Sequence, residues 1–183
     1  MEPTIALLGP PGSGKGTQAA RLRDDLGFAT LASGELLRAA RAEGTELGRR
    51  AAEYMDRGDL VPDELIVGIV LAALRAAEDT PVLLDGFPRN VEQAEALTEN
   101  GRDVSAAILI DVLDDEVERR ILTRRQGRSD DNPETVRERL RVYHETTGPL
   151  TAYYERRGVL RTVDGCGDAE AVYERVRGSA QER

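Results

Sequence analysis

One segment near the start narrows the fold more than any other: Gly9-Pro10-Pro11-Gly12-Ser13-Gly14-Lys15-Gly16-Thr17. It follows the apolar run Thr4-Ile5-Ala6-Leu7-Leu8, which reads as a buried strand, and leads into Thr17-Gln18-Ala19-Ala20-Arg21-Leu22, which reads as helix. A strand, a loop of the form GxxxxGK[ST] with a further glycine before Thr17, and a helix turn backbone N–H groups inward around an anion, and the helix N-terminus adds its positive end. Lys and Arg number 25, Lys15 is the single lysine, and the other 24 are arginine. A lone lysine placed at random in 183 residues would fall there with odds of about 1 in 183. Lys15 is placed to reach outer phosphates and the Thr17 hydroxyl to meet Mg²⁺. The plainer alternative is a glycine-rich turn that only ends a strand.

Length and composition bound the rest. A chain of 183 residues with 40% hydrophobic and 32% charged residues suits one globular domain. No apolar stretch is long enough to span a membrane, and Met1-Glu2-Pro3 runs almost directly into the first strand without a basic leader. A cytoplasmic location is the expectation. Cys166 and His144, one of each, exclude a four-ligand Cys/His zinc site. A net charge of −9 repels nucleic acid, so small polyanions have to be bound by local arginines.

Five apolar runs alternate with helical stretches, near Thr4 to Leu8, Ala29 to Leu31, Pro81 to Leu84, Ala106 to Ile110 and Val159 to Val163. That order predicts an α/β fold with a central five-stranded, mostly parallel sheet between helical layers. Ser33 to Val61 is mostly helical without a strand and reads as an insertion beside the sheet. Arg124 to Asn132 lacks apolar residues and reads as a charged loop, with Asn132 as cap and Pro133 in the first turn of the next helix. In that helix Val136, Leu140 and Tyr143 form an i, i+4, i+7 stripe expected to pack on the core.

Val82-Leu83-Leu84-Asp85 ends an apolar strand in a carboxylate. Such an acid can hold a water on Mg²⁺, which keeps several waters of its own; an ordinary strand-ending Asp is the other reading. Gly86-Phe87-Pro88-Arg89 follows at once. Together with Gly9 to Thr17, Ser33-Gly34-Glu35-Leu36-Leu37-Arg38 and Gly127-Arg128-Ser129-Asp130-Asp131, this segment resembles the adenylate kinases in order and spacing over nearly the whole chain. The similarity is to the bacterial form with a short lid, within the nucleoside monophosphate kinases.

The resemblance implies one P-loop kinase domain with a core of 1–31, 62–124 and 133–183, an NMP-binding insertion over 32–61 and a lid over 125–132. It implies transfer of the terminal phosphoryl group of Mg·ATP to AMP, giving two ADP, in a monomer without structural zinc. Gly12, Ser13, Gly14, Lys15, Gly16 and Thr17 would hold the ATP phosphates, with Thr17 and Asp85 serving the metal. Arg120 and Arg124 would serve ATP, and Gly167 would lie near its base. Ser33 and Arg38 would contact AMP, and the backbone of Asp59, Leu60 and Val61 would lie near its base. Gly86, Phe87, Pro88 and Arg89 would line the AMP site, and Gln93 would read the adenine edge. Arg128 and Arg139 would close on the phosphates. Lys15, Arg89, Arg120, Arg124, Arg128 and Arg139 are thus the expected catalytic cations.

Local chemistry leaves alternatives open at two of these positions. Arg120 and Arg124 lie i, i+4 on one helix, a spacing that repels unless an anion sits between them; Glu116 could instead simply pair with Arg120. Gln93 offers one donor and one acceptor to a base, or is a surface polar residue. The related kinases of UMP and CMP resemble the chain at Gly86 to Arg89 and carry Asn where Gln93 stands, which makes them the nearest rival. Ala32-Ser33 replaces the family's usual Ser-Thr, an expectation of looser AMP selectivity.

Overall fold

The alternation along each strand decides which helical layer it supports. In the computed structural model, which describes residues 2–57, 61–77, 79–123 and 133–182, strand β1 (Thr4–Leu8) is buried throughout. It sends Ile5 and Leu7 into one apolar cluster and Ala6 and Leu8 into another. It lies between β3 (Val82–Asp85) and β4 (Ala106–Asp111), while β2 (Ala29–Ala32) and β5 (Leu160–Asp164) take the edges. The order β2-β3-β1-β4-β5 is parallel at every pairing, as the alternation of strands and helices predicts.

Helices α1 (Lys15–Leu26), α6 (Asp114–Thr123) and α8 (Ala169–Gln181) cover the first face, burying Ala19, Leu22, Val117, Ile121, Val172 and Val176. Helices α4 (Asp63–Ala76) and α5 (Val91–Glu99) cover the second through Val70, Leu74 and Leu97. Each of the larger side chains removed from water contributes about 1.5–3 kcal/mol before the cost of ordering it. Helix α7 (Pro133–Arg156) belongs to both layers: Val136 and Leu140 pack in the first cluster, Leu150 and Tyr154 in the second. Its middle turns therefore cross from one face to the other, beside Leu7 and Leu8 at the carboxyl end of β1.

The strand ends differ slightly from the apolar runs. β3 begins at Val82 because Pro81 has no N–H to give; the Pro81 carbonyl still accepts from Ala29 N–H at 2.8 Å. Asp85 belongs to the strand, level with Leu7 on one side and Ala32 on the other. The carboxyl ends of three strands thus line up, where open parallel sheets bind their ligands.

The 32–61 stretch contains α2 (Ser33–Glu43) and α3 (Glu46–Arg57), which pack with Ile69 of α4 around a small third cluster. Ala40, Ala51 and Ile69 are buried there against Leu36, Leu47 and Val61. The two helices meet so closely at Gly48 that an added Cβ would lie 1.9 Å from the carbonyl oxygen of Ala40. Backbone cannot give way as a side-chain tip does, so Gly48→Ala is expected to cost about 3 kcal/mol in chemical denaturation. A cost below about 0.5 kcal/mol would show that α2 and α3 can separate freely. The charged loop expected over 124–132 lies outside the described residues.

Candidate active site

After β1 the chain must turn at once into α1, and glycines supply the backbone. Gly9, Gly12 and Gly14 have φ of 145°, 85° and 98°, values that side chains with a Cβ rarely adopt. At Gly12 a Cβ would also meet Ile121 Cγ1 at 2.7 Å, so the loop rests directly on α6, the helix that carries Arg120. The first hydrogen bond of α1 runs from Gln18 N–H to the Gly14 carbonyl at 3.0 Å. The N–H groups of Lys15, Gly16 and Thr17 stand at the positive end of the helix, where an anion is favoured. Lys15 Nζ donates to the carbonyls of Gly9 and Pro10 at 2.6 and 2.8 Å, which holds the ammonium over its own loop. Ser13 Oγ is buried with no hydrogen-bond partner among the described residues.

Asp85 stands against this loop. A Cβ on Gly16 would lie 3.5 Å from Asp85 Oδ2, so the carboxylate sits over the first turn of α1, one residue from Thr17. Burial pushes its carboxyl above the ordinary range, against the pull of Lys15. A desolvated acid beside a phosphate loop suits a divalent cation better than it suits an ordinary strand end. Among the described residues no three His, Cys, Asp or Glu side chains cluster as a metal cage; Mg²⁺ needs none, since water and phosphate oxygens fill most of its shell.

The second loop follows Asp85. The Gly86 carbonyl accepts from Ser33 Oγ at 3.0 Å and from Arg89 Nε at 2.9 Å, tying the start of α2 to the Arg89 loop. The Phe87–Pro88 peptide is cis. Phe87 is 1% exposed in the core, so what it offers the cleft is backbone. Arg38 is exposed on α2, and Val61 is half-buried against the cluster of Ala40, Ala51 and Ile69. Asp59 and Leu60 lie outside the described residues. Gln93 is 2% exposed, which removes the surface reading: its amide donates to Asp63 Oδ1 and accepts from Arg89 N–H, each at 2.7 Å.

A cavity of about 310 Å³ brings the parts together. Gly9, Pro11 and Lys15 form one wall, Gly86, Pro88 and Arg89 another, and Arg139 and Tyr143 of α7 close it. Tyr143, expected in the core with Val136 and Leu140, lines this cavity because α7 crosses between layers there. Burial, with Asp111 and Asp114, pushes its hydroxyl up to about 12, so it stays a neutral hydrogen-bonding group. Val142 and Thr146 are further wall residues that sequence reasoning missed. The signal was present: Arg139, Val142, Tyr143 and Thr146 fall at i, i+3, i+4 and i+7.

Arg120 lies on the other side of the loop, with Gly12, Gly14, Arg119 and Thr123 around a second cavity of about 340 Å³. Its Nε donates to Glu116 Oε1 at 2.7 Å and its Nη2 to the Gly165 carbonyl at 3.0 Å. The Glu116 pairing is therefore real, and Arg119 first and Arg120 second hold that carboxyl down to about 2. Among the described residues these bonds use two of the five guanidinium N–H groups, and the rest of the fork can serve an anion. Gly165 leads to Gly167, whose φ is 106°, so the Gly167 loop adjoins Arg120. Arg124 and Arg128, with the lid expected over 125–132, lie outside the described residues.

Residues 7–159 match the family described as Adenylate kinase. The chain belongs to the adenylate kinase family. It is 51% identical to an adenylate kinase of Thermus thermophilus over 179 residues, covering 94% of each chain. It is 48% identical to that of Xanthomonas campestris pv. campestris strain 8004, covering 94% of this chain and 96% of the relative. Identity with the Xanthomonas oryzae pv. oryzae MAFF 311018 adenylate kinase is 47% over 180 residues. Membership favours adenine nucleotides over the UMP and CMP rival. Among the described residues no helix is long and apolar enough to cross a membrane.

Proposed function

We propose that the chain transfers the terminal phosphoryl group of Mg·ATP to AMP, giving two ADP, with the two nucleotides held on opposite sides of Lys15. The observation that carries this is the one cavity that Lys15 of the first loop, Arg89 of the second and Arg139 of α7 line from different sides. One cation on a phosphate loop can bind a nucleotide. Three cations converging from separate elements suit two phosphate groups facing each other.

ATP would lie along Gly12 to Thr17, with Arg120 at its phosphates and the Gly167 loop near its base. AMP would lie between the 32–61 insertion and Gly86 to Arg89, with Ser33, Arg38 and Arg89 on the phosphate side and Gln93 with residues 59–61 on the base side. Thr17 and Asp85 would hold the Mg²⁺ that accompanies ATP, which supplies neutralisation of phosphate charge. The attacking AMP phosphate is already an anion, so no general base is required. What the chain must do is align the two phosphates, neutralise charge as it spreads over the transferred group, and exclude water. Arg124 and Arg128, with a lid over 125–132, would complete the enclosure. Both nucleotide sites draw on the residues of one chain, which supports action as a monomer. A lone cysteine, which can form no disulfide within the chain, and a net charge of −9 support a cytoplasmic role away from nucleic acid.

The test is ADP formation from Mg·ATP with AMP, CMP, UMP or GMP as acceptor. AMP is expected to be preferred; a clear preference for a pyrimidine nucleotide would overturn the reading.

A further inference from the structure

Asp63 opens α4, just after the 32–61 insertion, and faces two amides at the start of α5. Its Oδ1 accepts from Gln93 Nε2 at 2.7 Å and its Oδ2 from Asn90 Nδ2 at 2.6 Å. Both amides are also pinned at their oxygens. Asn90 Oδ1 caps α5 by accepting from Gln93 N–H at 2.8 Å, and Gln93 Oε1 accepts from Arg89 N–H at 2.7 Å. A carboxylate accepts and a backbone N–H donates. Neither amide can turn over without setting donor against donor and acceptor against acceptor. Gln93 is 2% exposed, a depth at which a mismatched polar group is not rescued by water.

The locked orientation bears on which base fits. A primary amide has two N–H groups and two oxygen lone pairs. With Asp63 and Arg89 taking one of each, one donor and one acceptor remain, in a fixed order. Adenine presents an amino donor beside a ring-nitrogen acceptor. Hypoxanthine presents a carbonyl acceptor beside a ring N–H, the reverse order, and guanine and uracil share that reversal. We infer that Asp63 is a positioning residue for base selection: by locking the Gln93 amide, it makes the monophosphate site accept an adenine-type edge and reject a 6-oxo edge. This rests on the proposed role of Gln93 at the base. Cytosine shares adenine's order, so the lock separates AMP from IMP, and ring size has to separate AMP from CMP.

The test compares kcat/KM for AMP and for IMP, with Mg·ATP as donor, in the wild type, Gln93→Ala, Asp63→Asn and Asp63→Glu. Asp63→Asn keeps the shape of the side chain and sets an NH₂ group against one of the two amide donors. It is expected to lower the AMP to IMP ratio about tenfold or more, through KM for the monophosphate, while KM for ATP is unchanged. Asp63→Glu restores an acceptor-only partner and should recover part of the ratio. A merely structural role would lower kcat for both monophosphates and leave their ratio alone. A ratio lost in Gln93→Ala but retained in Asp63→Asn overturns the role of Asp63. A ratio retained in Gln93→Ala overturns the role of Gln93 itself.

Discussion

Lys15→Met is expected to lower turnover about 10³-fold or more with little change in thermal stability. The ammonium is the one charge built into the loop itself, and it is held there by the carbonyls of Gly9 and Pro10 at 2.6 and 2.8 Å. Phosphates entering above the N-terminus of α1 would draw it off those carbonyls, so its interaction with the substrate grows as charge builds on the transferred group. Methionine matches the stem in length and bulk and brings no charge, which confines the loss to electrostatics. Lys15→Arg should not restore activity, although arginine serves at every other basic position. Gly9 and Gly12 show how little room the loop has: their added Cβ atoms would lie 2.7 Å from the Ile110 carbonyl oxygen and from Ile121 Cγ1. A planar guanidinium is bulkier than an ammonium and needs a different approach to phosphate. Steady-state turnover together with a melting curve checks both variants. Near-normal turnover in Lys15→Met would remove Lys15 from the mechanism.

Arg89→Met should produce the second largest effect, a fall in kcat/KM for AMP of about 10²-fold or more. Its signature differs from that of Lys15. Arg89 lines the shared cavity from the Gly86 side, with Nε tied to the Gly86 carbonyl at 2.9 Å, so the rest of the fork is aimed by its own loop. Loss of a charge-assisted fork to the AMP phosphate raises KM for AMP while KM for ATP changes little. Initial rates with each substrate varied in turn separate the two. An equal rise in both KM values would mean that Arg89 acts on the whole cleft and not on one nucleotide.

The parts of this site that were legible in sequence are those fixed by near neighbours. Gly9 to Thr17 declares itself because strand, loop and helix are consecutive, and Asp85 with Gly86 to Arg89 does so for the same reason. The central strands β1, β3 and β4 were legible because they are apolar on both faces, which is what a parallel sheet covered on two sides requires; edge strand β5, with Arg161, Thr162 and Asp164, showed only as a shorter apolar run. What was not legible depends on distant packing. Tyr143 shares a helical stripe with Val136 and Leu140, and nothing local says that α7 leaves one layer between Leu140 and Leu150. Gln93 offered a donor and an acceptor in either order. Its orientation is set by Asp63, thirty positions away in the chain, and by the Arg89 backbone. For Arg120, pairing with Glu116 and service to an anion looked like alternatives along the helix. In three dimensions they are compatible, because the Gly165 carbonyl and Glu116 hold the guanidinium in place through two of its donors.

A clamp that joins two adenine nucleotides across Lys15 fixes the stoichiometry of its products. Nucleotides are separated and counted after partial reaction of the protein with Mg·ATP, with and without AMP. Two ADP formed for each ATP and each AMP consumed, with almost no ATP lost when AMP is omitted, is the predicted result. One ADP per ATP with AMP untouched would mean that water is the acceptor, and would contradict the two-nucleotide clamp.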